Sequence, residues 1–344
     1  MNVFSYIRFI YVLIVKVPFI LFERINRMTL HIPIEFEIPR FTLKTINCYI
    51  TENEQQPILI DAGIDHPSFK NYFEETISNA KFALSSLEAV YLTHHHEDHV
   101  GLLRYVLSQK QMPVYIHEEA LPRLQYDGDF LLMRMQFFEK VYRKMGCLDD
   151  AKSRFKTLQQ TYENRHELCI DADFRIVQPE QKLGRFHVIH LPGHSEDSIG
   201  FYDPLKKQLF AGDALLHDTS TNPIVDPDSK GNYVHNSLQQ RDTLVKLANM
   251  PIQTLYAGHQ QKIEDVANVV FQKQQKLAAK EQKLLTLLIK PMTGRDIARA
   301  FYGPFYEKQF PLVMSEMIGL LDVLEKKQQI RKVEEKGQYL FIKR

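Results

Sequence analysis

Cysteine is scarce in this chain, and no charge of one sign prevails. Cys48, Cys147 and Cys169 are three in 344 residues, odd in number and widely separated. That excludes a disulfide framework and fits a reducing cytoplasm. None lies near a candidate ligand, so all three read as packing residues. Lys and Arg number 43 against 42 Asp and Glu, a formal net charge of +1. The overall balance therefore gives no drive towards nucleic acid or an acidic membrane. No Gly-x-Ser-x-Gly elbow occurs, so a serine-hydrolase reading has no support. A composition 44% hydrophobic and 25% charged is that of a globular protein. The length suits one large domain, alone or with a small one.

One apolar run stands apart. Val3 to Phe22 is long enough to cross a bilayer, but Arg8, Lys16 and Pro18 interrupt it. Two charges are costly at mid-depth. It has no small-residue cleavage site before Arg24, which argues against a signal peptide. Three readings stay open for residues 1–27. They form a membrane-surface or weakly spanning anchor, or a helix packed on the body, or they lie upstream of a true start at Met28.

The densest signal is Thr93-His94-His95-His96-Glu97-Asp98-His99. The strand-like run Leu87 to Leu92 leads into it, and the apolar segment Val100 to Val106 follows as a helix. A strand end before a helix is a usual place for ligand sites in α/β folds. On a helix His94, His96 and Asp98 would diverge, whereas an irregular loop lets them converge. Neutral imidazole favours zinc, and an added carboxylate leaves room for a second ion or a polarised water. Three further polar residues follow short strand-like runs, each directly after a glycine: His194, Asp213 and His259. Glycine lets the backbone turn sharply and approach a site closely.

Together with Ile58-Leu59-Ile60-Asp61-Ala62-Gly63, these motifs resemble the metallo-β-lactamase-fold hydrolase superfamily over roughly residues 29–265. The resemblance implies an α/β fold, the αββα sandwich. It implies two metal ions, expected to be Zn2+. His94, His96 and His194 would hold the first, Asp98, His99 and His259 the second, and Asp213 would bridge them. Asp61 would fix the cluster loop rather than bind metal, and His95, out of register, would point away. The oxygen-reducing diiron branch has glutamate where His96 stands. The β-lactam-cleaving enzymes usually have cysteine in place of Asp213. Both departures point to another hydrolase. Two cations about 3.5–4 Å apart would bring a shared water to a pKa of about 7, giving hydroxide for attack on a carbonyl or phosphoryl centre. Asp98, with one oxygen on metal and one free to relay a proton, is the expected catalytic residue.

The rest of the chain sets the frame. Residues 1–28 form the apolar segment and 29–265 the hydrolase domain. Within the latter, 118–169 is a helical insert whose face carries Leu131, Met133, Met135, Phe137, Phe138, Val141, Tyr142 and Met145. It reads either as a lid or side wall of the pocket, or as ordinary helix packing. Residues 217–235 are rich in turn formers and predict a loop bordering the site. Its His217, Tyr233 and His235 read first as surface or structural residues. His117, His187 and His190 flank strands without a ligand motif. Residues 266–344 comprise a linker helix, expected over Ile263 to Lys283, and a small winged-helix-like domain. In it Thr293 caps one helix, Met314 to Lys326 form another, and a hairpin turns at Glu335-Lys336-Gly337. This tail is similar to that of the lactamase-β-like protein 2 branch.

Two activities follow. The first is hydrolysis of a small ester, thioester or lactone, favoured by the complete ligand set and the apolar insert. The second is RNA cleavage, kept open by the tail, whose Lys326, Lys327, Arg331, Lys332, Lys336, Lys343 and Arg344 are interrupted by Glu325, Glu334 and Glu335. A third reading, a regulatory protein with structural metals, is disfavoured by the complete set. No basic patch for a glutathione-like carboxylate stands out. The expected protein is cytoplasmic, with membrane association through residues 1–27 left open.

Overall fold

Strands buried on both faces position everything else. In the computed structural model residues 30–38 and 43–344 are described; the apolar segment 1–28, with the readings attached to it, lies outside them. No helix among the described residues is long and apolar enough to cross a membrane. The first sheet runs in spatial order β1 (His31–Glu37), β2 (Thr45–Asn53), β3 (Gln56–Ile60), β4 (Ala89–Tyr91), β5 (Val114–His117) and β6 (Phe174–Val177). It is antiparallel as far as β3 and parallel beyond. The second contains β7 (Lys182–Leu183), β8 (Phe186–His190), β9 (Ile199–Asp203), β10 (Gln208–Gly212) and β11 (Thr254–Ala257), in the order β11-β10-β9-β8-β7. Only β10 and β11 pair in parallel there.

Side-chain alternation turns these sheets into layers. Ile58, Ile60, Ala89 and Tyr91 meet Phe186, Val188, Phe201 and Phe210 in one apolar cluster between the sheets. The intervening Leu59 and Val90 face the other way, as a period of two requires. They pack on α1 (Pro67–Asn79) and α2 (Leu103–Gln109) through Phe69, Phe73, Leu103 and Val106. Leu209 and Ala211 likewise turn outwards from the second sheet. Three separate clusters thus lie between four layers, which is the αββα sandwich.

The insert contains α3 (Gly128–Lys144) and α4 (Lys152–Glu163). Asp127 caps α3 by accepting from the Phe130 amide at 2.8 Å. The outer helices of the second sheet are α5 (Asn236–Asn249) and α6 (Val266–Leu287). The tail holds α7 (Gly294–Tyr302) and α8 (Phe310–Lys326), then a small sheet of β12 (Met292–Thr293), β13 (Ile330–Glu335) and β14 (Gln338–Lys343). Thr293 caps α7, its hydroxyl accepting from the Asp296 amide at 3.1 Å. The β13–β14 turn places Lys336 and Gly337 at φ 50° and 80°, the paired positive angles of a two-residue hairpin. Phe138 and Tyr142 of α3, with Met145 just after it, share one cluster with Ile297, Phe310, Met314 and Ile318 of the tail. Cys48 and Cys147 are buried, and all three cysteines are free.

Candidate metal centre

The site lies where both sheets end. Past β4 the chain leaves the strand at Thr93, runs irregularly through His94-His95-His96 and closes in the single helical turn Glu97–Val100. Asp61, at the end of β3, holds this loop: its Oδ1 accepts from the Thr93 amide at 2.8 Å and its Oδ2 from the Thr93 hydroxyl at 2.8 Å. The same Oδ2 lies 2.8 Å from Nδ1 of His99. His194 follows β8, Asp213 comes directly after β10 and His259 follows β11. Two glycines make that convergence fit. Gly212, at φ +50°, sits where a Cβ would come 2.3 Å from the Thr93 hydroxyl. A Cβ on Gly258 would lie 2.4 Å from the His99 ring and 2.6 Å from Asp213 Oδ1.

All seven expected ligand side chains come together. The ligand atoms of His94, His96 and His194 lie within 4.8 Å of one another, as do those of Asp98, His99 and His259. Asp213 stands between them, with His194 Nε2 3.7 Å from one oxygen, His259 Nε2 3.3 Å from the same one, and His99 Nε2 3.5 Å from the other. The outer ring nitrogens are tied down. Nδ1 of His194 donates to the Asn222 carbonyl at 2.9 Å, and Nδ1 of His259 to the Thr45 carbonyl at 2.6 Å. A carbonyl can only accept, so both protons are on the outer nitrogen, and a neutral ring turns its Nε2 lone pair inwards. His99 is held in the same sense by Asp61.

Electrostatics divides the site in two. Burial, reinforced by neighbouring imidazoles, pushes His94 and His96 well below the ordinary histidine value. Burial lowers His194 too, against the pull of Asp213. These three rings are neutral and offer lone pairs. On the other side burial alone would lower His99 and His259. The carboxylates of Asp61 and Asp213 outweigh it at His99, and Asp213 with Asp98 raises His259 to about 10. Burial would raise Asp98 and Asp213, but the facing histidines hold both carboxyls down. A divalent cation would displace those imidazolium protons. The residues fit such a cation by a direct observation. His99 Nε2, His259 Nε2 and Asp213 Oδ1 are fully enclosed without a well-formed hydrogen bond, a costly arrangement for buried polar atoms. Imidazole nitrogen and carboxylate oxygen together suit first-row divalent metals.

The chain belongs to the metallo-β-lactamase superfamily. The family model, described as "Metallo-beta-lactamase superfamily", matches residues 42–259. The probable metallo-hydrolase YqjP of Bacillus subtilis (strain 168) is 28% identical over 276 residues, 79% of this chain and 85% of that protein. A beta-lactamase-like protein 2 homolog of Caenorhabditis elegans is 22% identical over 270 residues, 76% of this chain and 72% of its own. The metallo-beta-lactamase family protein TTHA1429 from Thermus thermophilus superposes with a TM-score of 0.69 at 21% identity, over 91% of this chain and 98% of that one. That last likeness shows the fold. The family and its relatives place the chain among the metallo-hydrolases.

A cavity of about 940 Å3 opens onto this metallo-hydrolase centre, lined by His96, Asp98, His194 and Asp213. The insert forms one wall with Phe130, Leu131, Phe138 and Tyr142, and α8 adds Pro311 and Leu312. Met133 and Met145 face a separate cavity of about 500 Å3 instead. Of the loop 217–235, Ile224 and Val225 reach the main cavity. His217 pairs with Asp218, while Tyr233 and His235 both engage Asp322. His117 stacks on His190 at 5.0 Å, and no metal-compatible group among the described residues includes either ring or His187.

Some partners escaped the sequence reading. His95 turns to buried Asp197, donating its amide to Oδ2 at 2.8 Å with its Nδ1 2.9 Å from Oδ1. The Ser195 hydroxyl donates to the same carboxylate at 2.6 Å. Asp197 thereby ties the loop of His94 and His96 to that of His194. The polar run Ser195-Glu196-Asp197-Ser198 was its only sequence signal. The cavity wall also contains Arg123, Arg134 and Arg154, basic residues that do not cluster in the sequence.

Proposed function

We propose that the protein is a dinuclear zinc hydrolase of a small ester, thioester or lactone. The observation that supports this reading is a cavity with an apolar wall and seven convergent candidate ligand side chains at one end. His94, His96 and His194 would hold one ion, Asp98, His99 and His259 the other, with Asp213 between. When bound, such a pair supplies Lewis acidity towards the substrate oxygen and a water nucleophile at neutral pH.

The chain's own groups do the rest. Asp61, Thr45 and Asn222 fix the imidazoles from outside, so that the inward nitrogens need no rearrangement. Asp98 is the more accessible carboxylate, its side chain 26% exposed against 5% for Asp213. It lines the cavity and is the group placed to take and return a proton beside the substrate. Phe130, Leu131, Phe138 and Leu312 exclude water from the acyl part and bind it through apolar contact.

Cleavage of RNA is the competing reading. Against it, positive charge of the tail is partly neutralised: Lys327 pairs with Glu281 at 2.6 Å and Lys332 with Glu325 at 2.7 Å. The deciding experiment compares acyl thioesters, lactones and single-stranded RNA on the zinc-loaded full chain, with a chelator control. Chelator-sensitive ester or thioester cleavage is expected. RNA cleavage that fades with salt, without ester turnover, would reverse the assignment.

A further inference from the structure

Three guanidinium groups line the catalytic cavity, and two have protein partners. Arg123 lies 3.3 Å from Glu119 and 3.4 Å from Asp226, and donates to the Pro227 carbonyl at 2.6 Å. Arg134 donates through Nε to Asp226 at 2.6 Å. Arg154 differs. Its Nε, like that of Arg123, is fully enclosed and has no hydrogen-bond partner, and none of its other nitrogens is hydrogen-bonded to a carboxylate. It forms no ion pair among the described residues. Its Cζ sits 5.2 Å from the centroid of the Phe138 ring. Burial and the adjacent Arg134 cation disfavour its charge and outweigh the opposite pull of Tyr142 and Asp226. A half-buried guanidinium with no ion-pair partner favours an anion beside it. Its planar fork suits carboxylate in particular, through two parallel bonds.

The setting directs this cation into the substrate space. Arg154, Thr157 and Thr161 are spaced three and four residues apart along α4, and all three line the cavity together with Leu158. Such spacing puts them on one face of the helix. The cavity thus has candidate metal ligands, an apolar wall and, among the described residues, a guanidinium with no carboxylate at ion-pair distance, the nearby Asp226 being engaged by Arg123 and Arg134.

We propose that Arg154 forms an anion subsite, and that the substrate carries a carboxylate remote from the bond that is cleaved. This rests on the hydrolase reading for the reaction, but not for the binding. It narrows the substrate class from simple acyl esters to half-esters or half-thioesters of dicarboxylic acids and related anionic acyl compounds.

The test uses the zinc-loaded full chain. N-acetylcysteamine thioesters of succinic, glutaric, adipic and suberic acids, each with its far carboxylate free, are compared with uncharged acyl thioesters of equal length. The expected wild-type preference is about tenfold or more in kcat/KM for the carboxylate at one or more lengths, as a partly buried charge pair gives. Arg154→Met should abolish that preference, lowering the carboxylate series about tenfold more than the uncharged one, while Arg154→Lys should keep part of it. An equal preference in wild type and Arg154→Met, or no preference in wild type, overturns the subsite. A merely structural role would depress both series alike, which also overturns it. If neither series is hydrolysed, the ester reading fails, and calorimetric titration with adipic acid monoamide still decides the subsite. Binding weakened about tenfold in Arg154→Met supports it. Equal binding, or none to wild type, overturns it.

Discussion

Asp213 and Gly258 show how little slack the centre has. Among the described residues, Asp213 is the carboxylate within 4 Å of His99, His194 and His259 alike. Asp213→Ala should lower turnover by more than the roughly 10–100-fold that loss of an outer partner typically costs. Circular dichroism should stay native, and elemental analysis should show less bound metal. Full activity in that variant would sink the dinuclear assignment. Gly258→Ala tests the same geometry without touching a ligand. Its methyl would enter the space of His99 and Asp213, so metal affinity should fall while the β11 strand persists. Unchanged metal content after dialysis would show that the loop yields. At this scale the sequence was legible where side-chain type and spacing bring groups together, as in the three glycine-preceded candidate ligands, which the fold does converge. It was silent on the Thr45 and Asn222 carbonyls that orient His259 and His194. Every residue has a carbonyl, and only the folded path of the chain selects these two. Arg154 was equally hidden, one basic residue in an insert whose apolar face alone carried a sequence signal.

Elements were legible where burial has a period, and less so where pairing or capping decides an end. Strands β3 and β4 read as continuous apolar runs because both of their faces are covered. Helix α6, by contrast, begins at Val266 rather than Ile263. The Ile263 amide and carbonyl exchange 2.8 Å hydrogen bonds with Leu255, which keeps it extended, and Asp265 then caps the helix. Helix α8 begins at Phe310, ahead of Met314, since Pro311 is tolerated in a first turn. Between elements, Asp150 links the insert to the tail. It accepts from Arg295 at 2.6 and 2.7 Å and from the Tyr306 hydroxyl at 2.6 Å. Asp150→Asn should therefore cost about 2 kcal/mol, the scale of hydrogen bonds to a charged group, read by urea unfolding. Burial pushes the Asp150 carboxyl up, but Arg295 and Tyr306 outweigh it and hold the group below its ordinary value. Its contribution is then present above the unfolded pKa of about 3.9 and is lost as pH falls through the lower folded value. The gap between wild type and Asp150→Asn should narrow below about pH 4. A constant gap would assign the loss to shape rather than charge.

For the whole molecule, the decisive feature is that insert and tail share a core. The sequence suggests a catalytic body followed by a small separate unit, and every candidate ligand does lie before the tail. Yet Phe138, Val141, Tyr142, Met145 and Leu158 of the insert belong to the same cluster as Phe310, Met314 and Ile318. Tyr142 lies 5.2 Å from Phe310, ring centroid to ring centroid. Pro311 and Leu312 reach past them to the catalytic cavity. Ending the chain after Leu287 would lay those five insert side chains open. At about 1.5–3 kcal/mol each, the loss is comparable with the ~5–15 kcal/mol that holds a typical domain together. The truncated chain should therefore expose the insert to limited proteolysis and bind an apolar dye. It should also lose turnover of acyl substrates, even though all seven candidate ligands remain. The sandwich itself keeps its three other clusters, so the cuts should concentrate between residues 118 and 169. A truncated protein that resists protease and retains full turnover would make the tail an appendage. The expected result instead makes it a wall of the active site, and explains why an apolar insert that cannot bury its own face is tolerated beside a metal centre.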